Sequence, residues 1–435
     1  MSLGGGTWTT QNKTMPGAYI NYVSAQRAGI TMADRGVCAL PMELNWGISG
    51  KVFEVNAEEL HDIFMETFGY DQTATEMLPV REVFRHAKTV YFYRLNGGGN
   101  KASCDISTAK YSGTRGNDIK HVISNNIDAE GMFDVVTYLG AVKVDMQTVA
   151  TAADLSDNKY VAFNKEASIT ITAGMNLTGG TNGEVTGAEH QAALTALEAY
   201  GFNVLGCMSE EEAIKSVYAS YTKRLRDQVG AKFSLVAQGY AHDYIGTINL
   251  KNHVNDSNAP KYALVPWLAG AEAGCAINKT LDNMVYDGEY DIYVEYTQTE
   301  LTKAIKAGEL AFHRVGNSVN VLSDINSFVS VTKEMNEDFQ LNQVIRVLDQ
   351  VAIDVGNAFN TNFLGKVQNN EDGRIAFWSD CVEVHKEYQR LGAIEEFKTD
   401  DIVVSRGEGK RDVVEYEAIK PVCAMNKLYM TIEVS

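Results

Sequence analysis

The residues best suited to chemistry are few and scattered. His242, Asp243 and His253 could supply two imidazoles and a carboxylate to a metal or an acid–base pair, but only if a loop folded back on itself, because no H-x-x-x-H spacing and no cysteine accompanies them. Lone histidines of this kind are more often satisfied core or surface residues. Asn96 to Lys101, NGGGNK, has the glycine content of a phosphate loop. It lacks G-x-x-x-x-G-K-[ST], and the segment after it reads as strand where a phosphate loop needs a helix N-terminus. A loop boundary is the better reading. The turn Asn369 to Gly373, NNEDG, resembles the centre of a calcium loop, yet Gln368 would stand at the first ligand position and Ser379 at the twelfth. The pairs Glu395-Glu396 and Asp400-Asp401 read as solvent-facing. Neither G-x-S-x-G nor H-E-x-x-H occurs. No catalytic, cofactor-binding or metal-binding residue is assigned, and a large chain with so empty an inventory points to a structural role.

The elements carrying these residues suggest an α/β and α+β multi-domain protein. An extended arm is expected over 1–28, and a core α/β domain begins at 29. Asn56 is read as the N-cap of a helix with Glu59 at N3 and a stripe of Leu60, Ile63, Phe64 and Phe68. Thr89 to Leu95 reads as a strand that runs into the glycine-rich break closing the first part of the core at 101. Between 102 and 186 short strands follow (IKHVIS, FDVVTYL, KVDMQTV, YVAFN, SITIT), the pattern of an all-β insertion. The core resumes over 187–330. Its expected elements are a helix from Ala188 to Tyr200, a Ser209/Glu212 capping box, a helix from Thr299 closed by Gly308, and a hairpin around Gly316-Asn317. A C-terminal α+β domain over 331–426 combines two helices, Val344 to Phe359 and Ile375 to Leu391, with strands Ile402 to Arg406 and Val413 to Ile419.

Both termini read as strands in search of a sheet. Lys427 to Ser435, KLYMTIEVS, alternates so that Leu428, Met430, Ile432 and Val434 share one face. Near the other end, Tyr19, Ile20, Tyr22 and Val23 form a short aromatic and β-branched strand after Pro16-Gly17. Burying each apolar side chain gains at most ~1.5 to 3 kcal/mol, while ordering backbone costs ~1 to 2 kcal/mol per residue. Such a strand docks only where a preformed edge supplies ladder hydrogen bonds, in its own subunit or in a neighbour.

At 435 residues and 45% hydrophobic content the chain can bury a large core divided into several units. Its formal charge of −18, without any run of Lys or Arg, disfavours nucleic-acid binding. The six cysteines are widely spaced, which suits buried thiols in a reducing compartment. No segment has the form of a signal peptide or of a membrane span, so synthesis in a cytoplasm without direct membrane insertion is expected.

Six segments, in order, resemble the contractile tail sheath proteins of bacteriophages (myovirus-type) and related phage-tail-like particles. They are PGAYINYV (16–23), LTGGTNG (177–183), VNVLSDINSF (319–328), VIRVLDQVAIDV (344–355), FLGKVQNNEDGR (363–374) and IKPVCAMNKLYMTIEV (419–434). The resemblance implies a non-enzymatic subunit without cofactor that forms stacked hexameric rings, a helical homo-oligomer, around a tail tube protein. Baseplate and tail terminator proteins would be its other partners. It also implies assembly in the bacterial host cytoplasm and contraction that drives the tube through a target envelope. The arms at Tyr19, Ile20, Tyr22, Val23 and at Leu428, Met430, Ile432, Val434 would add strands to neighbours, with the insertion outermost. The alternatives are another virion structural protein, tube or shell, or an α/β enzyme without a recognisable motif.

Overall fold

The computed structural model describes residues 35–434. The arm residues Tyr19, Ile20, Tyr22 and Val23 lie outside the described residues. From Val37 the chain lays down β1 (Val37–Met42) and β2 (Val52–Asn56), then helices α1 (Leu60–Phe68) and α2 (Leu78–Val83), then β3 (Thr89–Arg94). Asn56 does not cap α1. It closes β2, its side chain accepting from Thr89 Oγ1 at 2.7 Å, and the helix starts one turn later with Glu59 in the cap position. The sequence stripe is nonetheless the buried one, with Leu60, Phe64 and Phe68 in the core.

Seven short strands then form two antiparallel sheets. The strands are β4 (Lys101–Cys104), β5 (Ser107–Ser112), β6 (Ile119–Asn125), β7 (Phe133–Leu139), β8 (Val142–Val149), β9 (Val161–Phe163) and β10 (Thr172–Asn176), ordered β4-β5-β9 and β10-β6-β7-β8. Ala109, Ile119, Ile123, Val135, Leu139, Val161 and Phe163 share the core of this β unit. The strand expected at SITIT begins only at Thr172, and the β4–β5 hairpin was hidden by its polar composition. Two core residues fasten the unit. Trp46 is fully buried in it, edge-on to Tyr111 at 5.2 Å, and Arg94 donates to the carbonyls of Gly47 and Ser112 at 3.1 and 2.8 Å.

The chain returns through α3 (Gly187–Leu197), β11 (Val204–Cys207), α4 (Glu212–Arg224), β12 (Ser234–Gln238), β13 (Thr247–Leu250), α5 (Val265–Gly274), α6 (Gln298–Lys306) and β14 (Glu309–Leu310). The resulting sheet has the order β14-β13-β12-β11-β1-β3-β2, parallel except where β2 meets β3. Its central strands β1 and β11 are buried along almost their whole length and are mainly apolar, as burial on both faces requires, while the edge strand β2 exposes Glu54. The expected Ser209/Glu212 box is not made: Glu211 occupies the cap position, and Ser209 Oγ accepts from its amide. Thr186/Glu189 and Thr297/Glu300 form such boxes instead. Helix α5 is buried on all sides, and Gly270 lets the carbonyl of Val83 approach where a Cβ would stand.

A hairpin, β15 (Phe312–Val315) and β16 (Ser318–Val321), leads to the last unit: α7 (Asn342–Ala358), α8 (Glu371–Leu391), β17 (Ile402–Arg406) and β18 (Val413–Glu417). Asn370 caps α8 by accepting from the Gly373 amide, and Gly392 ends it at φ 73°. Val347, Val351, Val384 and Tyr388 join the two helices. Ile375, the expected start of the second helix, lies one turn inside it and is exposed, while Phe377 and Cys381 are buried. The outcome is a mixed α/β multi-domain fold.

Candidate assembly site

The residues that sequence offered for chemistry are apart and already occupied. His242 Nδ1 meets Thr247 Oγ1 at 3.0 Å, and Asp243 accepts from the amides of Val329 and Ser330 at 2.7 and 3.0 Å. His253 stacks on Tyr293 with ring centroids 4.9 Å apart. Among the described residues no cluster of His, Cys, Asp or Glu is arranged to hold a metal, and all six cysteines are free thiols. The NGGGNK segment is a turn where the β unit joins the core: Thr181 donates its amide to Asn100, and Gly183 donates to Asn96.

Among the described residues, the largest run of exposed apolar side chains lies at the C-terminal end. After β18 the chain is pinned repeatedly to its own body, and Lys420 pairs with Glu396. Glu395 donates its amide to the Lys420 carbonyl at 3.0 Å, and Val422 donates to Ala393 at 2.9 Å. Ala424 donates to Gln343 Oε1 at 3.1 Å, and Asn426 Nδ2 to Asp282 Oδ2 at 2.8 Å. Beyond that point Leu428, Met430, Ile432 and Val434 are 85, 70, 73 and 91% exposed and belong to no strand of the single chain. So much adjacent apolar surface facing water is uncommon in a finished soluble structure.

In the same C-terminal unit, β17 and β18 form a two-stranded sheet, so each has, among the described residues, an outer edge free of any further strand. The alternation turns Ile402 inward and leaves Val403, Val414 and Tyr416 exposed on the other face. Trp378 Nε1 on α8 donates to the Ile402 carbonyl at 3.0 Å, which fixes the hairpin to the helix.

A buried polar network holds this unit to the core. Arg346 on α7 reaches Glu272 on α5 at 2.7 Å and Asp324 at 3.1 Å, and Asn342 donates to both carboxylates. Burial, then the neighbouring Asp324 charge, pushes the Glu272 carboxyl up to about 8. Asp324 lies below its usual range: burial works against its charge, but Arg346 and the hydrogen bonds it accepts outweigh that cost. A second link, Arg226 to Asp349, is bidentate at 2.7 and 2.8 Å. These partners are 18 to 123 residues apart, and no local spacing announces them.

Family profiles match nearly the whole described chain. They are the tail sheath protein Gp18 domain III N-terminal region at 35–95, the phage tail sheath protein β-sandwich domain at 97–182, the central domain at 183–327 and the C-terminal domain at 334–435. The phage-like element PBSX protein XkdK of Bacillus subtilis is 31% identical over the full length of both chains. The chain belongs to the phage tail sheath family. This sheath protein is also similar to the crystal structure of a sheath tail protein from Desulfitobacterium hafniense, with a TM-score of 0.84, 34% identity and coverage of 95% and 99% of the two chains. It shares its fold with the contracted helical sheath of the anti-feeding prophage at a TM-score of 0.57 and 11% identity, covering 97% and 99%. It is thus a structural component of a phage tail or phage-tail-like particle, a family that is not enzymatic. Among the described residues no helix is long and apolar enough to cross a membrane.

Proposed function

We propose that the sheath protein polymerises helically around a tail tube and contracts to drive that tube through a target envelope. The observation carrying this reading is the exposed alternating segment Leu428, Met430, Ile432 and Val434 in a chain that also holds a two-stranded sheet with open edges. The segment gains a ladder by adding to such an edge, and an edge on a second copy makes the contact head-to-tail, which propagates as a helix where its rotation does not close. Tyr19, Ile20, Tyr22 and Val23 would act as the second arm.

In this reading the subunit divides into arms at 1–28 and 427–435, a core at 29–101 and 187–330, an insertion at 102–186 and the sheath domain at 331–426. Helix α7 or α8 would face the tube and the insertion would face outward. Other partners would be baseplate and terminator proteins, and assembly would take place in the host cytoplasm. The arms would act as tethers while whole subunits rotate between two packings. The energy would be stored at assembly, so no nucleotide site is required. Deleting 427–435 tests the reading. The truncated protein should stay folded and soluble yet form no long polymers in electron micrographs, and normal sheaths from it would overturn the role of the arm.

A further inference from the structure

The hairpin β17–β18 is seated the wrong way round for its composition. Alternation on β18 puts Val414 and Tyr416 in water and turns two acids, Glu415 and Glu417, toward α8. Beneath them lies His385, fully buried, its ring stacked on Phe397 at 5.2 Å. His385 Nδ1 is 2.8 Å from the Cys381 carbonyl oxygen, an atom that can only accept, so Nδ1 carries a hydrogen and donates it. Nε2 is 2.9 Å from Glu417 Oε2. If the ring is neutral, Nε2 is an acceptor facing a second acceptor, and the contact is repulsive unless a proton lies between them. Without such protons, His385 Nε2, Glu417 Oε2 and Glu415 Oε1 are buried atoms that lack a hydrogen-bond partner.

Among the described residues, His385 is the cation paired with these two carboxylates. From β18 come Glu415 and Glu417. From α8 come His385, Tyr388 and the Cys381 thiol, with Asp380 acting on that thiol. From α7 comes Asp354, which accepts from the Tyr388 hydroxyl, and Arg35 acts on Tyr388. From β17, Ile402 and Val404 stand opposite Glu417 and Glu415. One imidazolium can balance one carboxylate, so the second carboxylate needs a proton of its own.

We propose that His385, Glu415 and Glu417 form a proton-held clasp that seats the β17–β18 hairpin on α8, making this face of the subunit firm in mildly acidic solution and loose in alkaline solution. The electrostatics agree with the geometry. Burial, then the charge of Glu417, pushes Glu415 up to about 7. Burial opposes the charged form of His385, but Glu417 and the Cys381 carbonyl outweigh it and hold the imidazole above its ordinary value. Both groups are raised in the seated state, so both contribute stability that is present at low pH and lost as pH rises through the seated values.

The clasp bears on assembly only through the proposed use of this hairpin by neighbours, so the test is made on the unassembled full-length subunit. Backbone hydrogen exchange of 402–417, corrected for intrinsic rates and referred to β3, should lose protection by roughly three- to tenfold per pH unit between pH 5.5 and 7, about one proton's worth. Glu417→Gln offers Nε2 a fixed donor and should keep the hairpin protected to pH 8.5. Flat protection in the wild type, or an undiminished fall in E417Q, would overturn the clasp. If the clasp titrates while polymer length in pelleting assays ignores pH, the clasp stands and the docking role of the hairpin falls.

Discussion

Asn426 and Asp282 are 144 residues apart and joined by one hydrogen bond, Nδ2 to Oδ2 at 2.8 Å. It is the last side-chain tie before the exposed terminal residues. The other oxygen of Asp282 accepts the Asp324 amide at 2.6 Å, and Asp324 in turn meets Arg346. The departure point of the terminal segment is therefore wired to the network that joins the C-terminal unit to the core.

Replacing Asn426 with Ala should cost the free subunit about 1 kcal/mol or less, since the bond is exposed and neutral donors contribute little net. Chemical denaturation should show almost no change, while exchange at 422–426 should rise. A large loss of global stability would mean that the segment belongs to the folded core.

Removing the cation of the network should be far more damaging. Arg346→Met leaves Asp324 buried with its main counter-charge gone, at a cost of ~3 to 5 kcal/mol in urea unfolding. Measured destabilisation under about 1 kcal/mol would show that the junction does not depend on this ion pair.

The Glu272 carboxyl gives the junction a pH dependence of known sign. Its folded value, about 8, lies above the ordinary glutamate range, so its contribution weakens as pH rises between about 4.5 and 8. Asp324 is shifted the opposite way, and its contribution is lost only in acid as pH falls through its lowered value. Glu272→Gln should flatten the fall in urea midpoint between pH 5.5 and 8.5, a fall of at most ~1.4 kcal/mol per pH unit. An unchanged slope in E272Q would assign the dependence to other groups.

Trp46 should behave as the fastener of the β unit. Trp46→Ala removes a fully buried ring packed on Tyr111 and Tyr160 and should cost ~3 to 5 kcal/mol. Limited proteolysis should then cut within 97–182 first while the parallel sheet persists. Uniform cleavage of both parts would show that they unfold together.

Legibility in the sequence followed the strength of local periodicity. β7 and the hairpin around Gly316 were readable because one face alternates cleanly and turn residues bound them. Helix α5 gave no signal: VPWLAGAEAG is buried all round, so it has no polar face to set a period. Asn56 looked like a cap, but pairing of β2 with β3 claimed it for the sheet. Glu415 and Glu417 share one face of β18, but nothing in their spacing shows that the fold turns them onto His385. Glu272, Asp324 and Arg346 sit on separate elements and meet only in three dimensions. The domain order was legible from the change of periodicity along the chain, and the assembly role came from the ordered set of family-like segments, since no single one of them carries chemistry.

The most direct measurement of the central claim is electron cryo-microscopy of polymers grown from the full-length protein at a resolution that traces backbone. The account predicts a helical sheath in which Leu428 to Val434 continues as a strand on the β17–β18 sheet of a neighbouring subunit. Polymers whose terminal segments stay unpaired or return to their own subunit, or a failure to polymerise under any nucleating condition, would contradict it.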